Sequence, residues 1–223
     1  MEKKHIFWAS DSTVKTNDFT TYPQTGIGQA MPLFLAKNVI VHNHSENGRS
    51  TKSFIDESRL ATIYNELRKD DFFFIQFGHN DGKKEDEARF TEPYGEYQSN
   101  LEKYINVARN RKAYPVLITP LCRRWFLDAN TLEKDIHGAY PEAMKDLAKK
   151  LNVPIIDLYE MSRSFIEKAG DAKSKEYFVE WDNTHLRYPG AVVFADMIAY
   201  GLYQLGSPYK ELLNEAYNDK KRI

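Results

Sequence analysis

Residues 5–13 read His5-Ile6-Phe7-Trp8-Ala9-Ser10-Asp11-Ser12-Thr13, an apolar stretch that ends abruptly in four small polar side chains. A strand buried on both faces needs consecutive apolar residues rather than alternating ones. Ser and Asp are turn formers, so the chain is expected to leave the strand at once. The pattern returns at Phe72-Phe73-Phe74-Ile75-Gln76-Phe77, which runs into Gly78-His79-Asn80-Asp81-Gly82, and again at Val116-Leu117-Ile118. Strands are therefore expected at 5–9, 39–43, 72–77, 116–119 and 154–157.

Helical patterns separate these strands, at 28–36, 53–67, 94–111, 141–151, 162–169 and 190–205. Within the third, Tyr97, Leu101, Tyr104, Ile105 and Ala108 fall three and four apart, which gives one apolar stripe. Short strands alternating with longer helices predict an α/β domain with a parallel sheet covered by helices on both faces. The chain shows no internal repeat, linker or low-complexity stretch, so residues 1–223 read as a single domain.

Composition narrows the function. The 223 residues carry 31 basic and 32 acidic side chains, with 42% apolar and 28% charged residues. That balance fits a soluble globular protein and offers no basic stripe for nucleic acid. The one basic cluster, Lys220-Lys221-Arg222, reads as a solvated tail. No apolar run reaches the ~20 residues that span a bilayer. The chain enters its first strand without room for a signal peptide, which points to the cytoplasm, although a secreted protein with its leader removed begins in the same way. The single cysteine, Cys122, excludes an internal disulfide and reads as a packed side chain rather than a nucleophile. The sequence carries no signal for an oligomeric state.

Ligands of open parallel sheets gather at the carboxyl ends of the strands. Three polar clusters sit there: Ser10-Asp11-Ser12-Thr13, Asn47-Gly48-Arg49-Ser50 and Gly78-His79-Asn80-Asp81-Gly82. A fourth, Trp181-Asp182-Asn183-Thr184-His185, precedes the last helix. Each alone has an ordinary reading as a turn or helix cap. Chemically, Ser12 could offer a hydroxyl, Gly48 an unobstructed N–H and Asn80 a neutral amide donor. Asp182, three residues before His185, can reach imidazole Nδ1 and leave Nε2 facing a nucleophile.

In order and spacing the four clusters resemble the blocks of the SGNH (GDSL) hydrolases over nearly the whole chain. Asp11-Ser12-Thr13, Asn47-Gly48-Arg49-Ser50 and Gly78-His79-Asn80-Asp81 are similar to the rhamnogalacturonan acetylesterases of carbohydrate esterase family twelve, as is the loop Tyr22-Pro23-Gln24-Thr25-Gly26-Ile27-Gly28-Gln29. The resemblance implies a three-layer α/β/α flavodoxin-like fold around a five-stranded parallel sheet. It implies a serine esterase that removes acetyl groups from a plant-type polysaccharide or its oligosaccharides, foremost rhamnogalacturonan (pectin). Ser12, Asp182 and His185 would form the catalytic triad, and Ser12, Gly48 and Asn80 the oxyanion hole. Arg49, His79, Trp181 and Arg187 would touch substrate, and Arg123 and Arg124 lie on the same side. No metal or cofactor is called for. One position departs from the family: its first block reads Gly-Asp-Ser, and Ser10 replaces the glycine. A positive φ there would cost Ser10 on the order of 1 kcal/mol.

Other readings stay open. His42 and His44 share one face of a strand and could join Asp182 and His185 in a metal-dependent hydrolase. The same fold could serve an acetylxylan esterase, a lipase or a thioesterase, or a carbohydrate-binding protein without catalysis.

Overall fold

The computed structural model describes residues 3–134 and 136–218, so the Lys220–Arg222 cluster lies outside the described residues. Five strands form one sheet: β1 (Lys4–Ser10), β2 (Val39–Asn43), β3 (Phe72–Gln76), β4 (Tyr114–Ile118) and β5 (Ile155–Ile156). All pairs are parallel, in the order β2-β1-β3-β4-β5. This is the flavodoxin-like order, and the expected fold class holds.

Strand geometry explains the continuous apolar runs. Successive side chains leave a strand on opposite faces. Ile6 and Trp8 of β1, with Phe72 and Phe74 of β3, enter one core. Phe7 and Ala9, with Phe73 and Ile75, enter the other. Helices α1 (Ile27–Ala30), α6 (Leu158–Ser174), α7 (Tyr188–Leu205) and α8 (Glu215–Asn218) cover the first face. Helices α2 (Thr51–Asp56), α3 (Arg59–Glu66), α4 (Gln98–Asn110) and α5 (Tyr140–Leu151) cover the second. Among the described residues no helix is long and apolar enough to cross a membrane.

Helix boundaries differ from expectation where local chemistry intervenes. The pattern at 53–67 splits into α2 and α3 because Ser58 adopts φ 60°. The first helix starts earlier, capped by Ser50, whose Oγ accepts the Ser53 N–H while Ser53 Oγ accepts the Ser50 N–H. The pattern at 28–36 yields one α turn and then a 3₁₀ turn at Met31–Leu33, where Pro32 lacks an N–H. Asp157, expected as a strand end, instead caps α6 by accepting the Glu160 N–H.

Candidate active site

Ser12 stands two residues beyond β1, next to β3, where the strand order reverses. Its Oγ lies 2.9 Å from His185 Nε2, and His185 Nδ1 lies 2.6 Å from Asp182 Oδ2. Asp182 Oδ1 accepts the N–H groups of Thr184 (2.7 Å) and His185 (2.9 Å). Burial works against the charge of Asp182, yet these donors hold its carboxyl below the usual carboxylate range. An ionised carboxylate only accepts, so Nδ1 carries the proton and Nε2 is free to accept from the Ser12 hydroxyl.

A tight hairpin carries Asp182 and His185. Phe178 bridges Leu186, Val179 N–H donates to His185 O (2.9 Å), and Asp182 N–H donates to Val179 O (3.0 Å). The second central residue of that turn is Trp181, at φ 63°, where a glycine is normally favoured. Gly190, in the first turn of α7, lets the helix approach the hairpin's base. A Cβ there would sit 2.1 Å from Tyr177 O. Arg124 ties the hairpin to α6: Nε donates to Ser174 Oγ (2.8 Å), Nη1 to Asn183 Oδ1 (3.0 Å) and Nη2 to Asp171 O (2.8 Å), with Asp171 Oδ1 completing an ion pair.

The second and third clusters meet through one contact. Asn80 Nδ2 donates to Arg49 O at 3.1 Å, which ties the Asn80 amide to the turn formed by Gly48 at φ 74°. An amide nitrogen has two hydrogens, so one remains for another acceptor. Beneath them, His79 is 5% exposed, with Nδ1 3.0 Å from Asp11 Oδ2 and Nε2 2.9 Å from Leu121 O. Both ring nitrogens face oxygen acceptors inside the protein, so His79 braces two loops and offers no nitrogen to the cleft. Asp11 is also buried, which opposes its charge, but His79 and the Thr13 donors lower its pKa. Ser10 ends β1 outside the positive-φ region, and its Oγ donates to Gln76 O (2.6 Å). The strain considered for the missing glycine does not arise.

Other expected residues go elsewhere. Arg49 makes a two-point ion pair with Glu57, at 2.9 and 2.7 Å, and a bond to Asn47 O. Arg187 is exposed and lines a groove of about 720 Å³ along the hairpin, together with Arg124, Trp125, Phe126 and Trp181. Trp181 is 97% exposed and Trp125 54%. His42 Nε2 bonds His5 Nδ1 (2.9 Å) and His44 approaches Glu66 (3.6 Å), so neither histidine joins the Asp182–His185 pair. Among the described residues no group of three His, Cys, Asp or Glu side chains is arranged to hold a metal. Burial pushes the Cys122 thiol up to about 12, which suppresses the nucleophilic thiolate. One neighbour had no local sequence signal: Arg89, held by Asp86 (2.5 Å), places Nη1 3.3 Å from where a Gly48 Cβ would stand.

The chain is 38% identical over 221 residues to rhamnogalacturonan acetylesterase RhgT of Bacillus subtilis, covering 93% of each chain. It is 39% identical over 211 residues to a second protein of that organism, named "Probable rhamnogalacturonan acetylesterase YesY", covering 93% of this chain and 96% of that one. The crystal structure of the YxiM protein of Bacillus subtilis shares the fold, with TM-score 0.82 at 21% identity, over 92% of this chain and 58% of that chain. Residues 11–219 match the model of the GDSL-like lipase/acylhydrolase family, from the residue before Ser12 to beyond His185. The chain belongs to the GDSL-like lipase/acylhydrolase family.

Proposed function

We propose that the protein is a serine esterase that removes acetyl groups from a pectin-type polysaccharide, foremost rhamnogalacturonan, through an acyl-enzyme. The observation that carries this reading is the continuous hydrogen-bonded line Ser12–His185–Asp182 at the carboxyl end of β1. The substrate class rests on the names of the two relatives near 38–39% identity.

Ser12 Oγ attacks the acetyl carbonyl carbon while His185 Nε2 takes its proton. The C–O bond to the sugar breaks as His185 returns that proton to the departing hydroxyl. Water, deprotonated by His185, then attacks the acetyl-serine, and acetate leaves with Ser12 reprotonated. Asp182 keeps the imidazole in the required tautomer and stabilises the imidazolium. The backbone N–H groups of Ser12 and Gly48 and the second hydrogen of Asn80 Nδ2 receive the developing oxyanion. Trp181 and Trp125 offer flat apolar faces for sugar rings beside the reacting ester.

The test is acetate release from acetylated rhamnogalacturonan by the wild-type protein and by Ser12→Ala. The wild type releases acetate and the variant does not, while its thermal stability stays near wild type. Release at the wild-type rate by Ser12→Ala overturns the serine mechanism. Absence of release by the wild type, with turnover of long-chain esters, overturns the substrate.

A further inference from the structure

Arg124 and Arg49, whose positions in the sequence suggest substrate contacts, are saturated by protein partners. Two other cations are not. Arg123 donates Nη2 to His79 O (2.9 Å), and its Nε is buried without a partner. Among the described residues neither Arg123 nor Lys83 has a carboxylate within 4.0 Å. Both are half-buried, and both line one cavity of about 520 Å³, with Gly78, His79, Gly82 and Tyr140. That volume suits a small ligand.

The location ties the cavity to the reaction. Arg123 Nη2 bonds the carbonyl of His79, the residue before Asn80, so the cavity adjoins the loop that bears Asn80. The Lys83 N–H donates to Asn80 O at 3.3 Å, and the guanidinium of Arg89, paired with Asp86, packs on Gly48. Lys83 and Arg123 therefore sit on either side of the loop that carries Asn80 in the chain and share one cavity. Glu85 and Glu92 also line the cavity, but both are exposed, where solvent and salt screen them. Half-buried Lys83 and Arg123 are screened less. Mutual repulsion of cations without carboxylate partners is relieved by an anion between them.

We propose that Lys83 and Arg123 form a subsite for a carboxylate carried by a uronate sugar of the substrate. This rests on the acetylesterase reading. The planar fork of Arg123 can pair with a carboxylate through Nη1 and the second hydrogen of Nη2, and Lys83 adds a point charge in the same cavity. The subsite selects for acidic polysaccharide and leaves small neutral esters without this contact.

The test compares acetylated galacturonide oligomers with the same oligomers methyl-esterified at their carboxyls, which removes the charge and keeps the sugars. The free-acid form is expected to have about tenfold higher kcat/KM, mainly through KM, the range of a charged hydrogen bond. Lys83→Met keeps the apolar stem and brings the ratio close to one, Lys83→Glu inverts it, and added salt lowers it in the wild type. An equal ratio in the wild type, or a ratio unmoved in both Lys83 variants, overturns the subsite. Calorimetric binding of unacetylated galacturonide separates this from the parent reading. Binding that Lys83→Met abolishes, without acetate release from any ester, upholds the subsite and sinks the esterase. Acetate release from acetylated sugars with no uronide binding does the reverse.

Discussion

Arg124 grips Asn183 twice: its backbone N–H donates to Asn183 O at 2.8 Å, and its Nη1 donates to Asn183 Oδ1 at 3.0 Å. Asn183 stands between Asp182 and His185, and the rest of the guanidinium is anchored to Asp171 and Ser174 of α6. The hairpin bearing two members of the proposed triad is thereby fixed to a helix by one buried residue, 7% exposed.

Arg124→Lys retains the charge but not the fork, and cannot hold α6 and Asn183 together. A misplacement of about 1 Å at the reacting groups can cost ~10²-fold. The expected result is kcat on p-nitrophenyl acetate lowered by roughly 10–100-fold, with KM near wild type. Unchanged kcat in a folded Arg124→Lys protein would show that the hairpin holds its geometry unaided.

Removing one oxyanion donor costs about 10²–10³ in kcat. Asn80→Ala should fall in that range with little change in KM, since the contact strengthens as charge develops. Its bond to Arg49 O also steadies the Gly48 turn. If KM rises and kcat holds, Asn80 is a ground-state substrate contact.

Trp181 occupies a turn position that favours glycine, at a cost of roughly 1–2 kcal/mol for a residue with a Cβ, and it is almost wholly exposed. Burial therefore gives nothing in return for the strain, which directs attention to substrate binding. Trp181→Gly should leave the thermal midpoint at or above wild type and raise KM for the acetylated polymer several-fold. A fall in stability with KM unchanged would make Trp181 a structural residue.

Asp81 is buried, and burial pushes its carboxyl up to about 7 against the bonds from Thr51 and Thr91. Oδ2 has no partner, so no donor offsets the burial of a charge on that oxygen. The folded state therefore holds a proton between about pH 4 and 7 that the unfolded chain releases. Stability from this group falls as pH rises through that window and levels off above it. Asp81→Asn keeps the Oδ1 acceptor and cannot ionise. Relative to this variant, the wild type should lose on the order of a few kcal/mol between pH 4 and 8, read as a Tm difference of roughly 5–10 °C. A pH-independent difference would show that Asp81 does not titrate there.

The sequence by itself determined the sheet, because continuous apolar runs at 72–77 and 116–119 suit only strands covered on both faces, and it placed a polar cluster at each relevant strand end. It also made the Asp182–His185 contact available, since an Asp three residues before a His can reach imidazole Nδ1, while the hairpin that enforces the contact is seen only in the structure. Only the tertiary structure decided which histidine, tryptophan and arginine side chains face a cleft. His79 is drawn inward by Asp11, 68 residues away, and Arg124 by partners 47 to 59 residues distant. The break at Ser58 likewise follows no local signal. A long side chain can reach many acceptors from one backbone position, and which it meets depends on packing between distant elements rather than on the periodicity of its own.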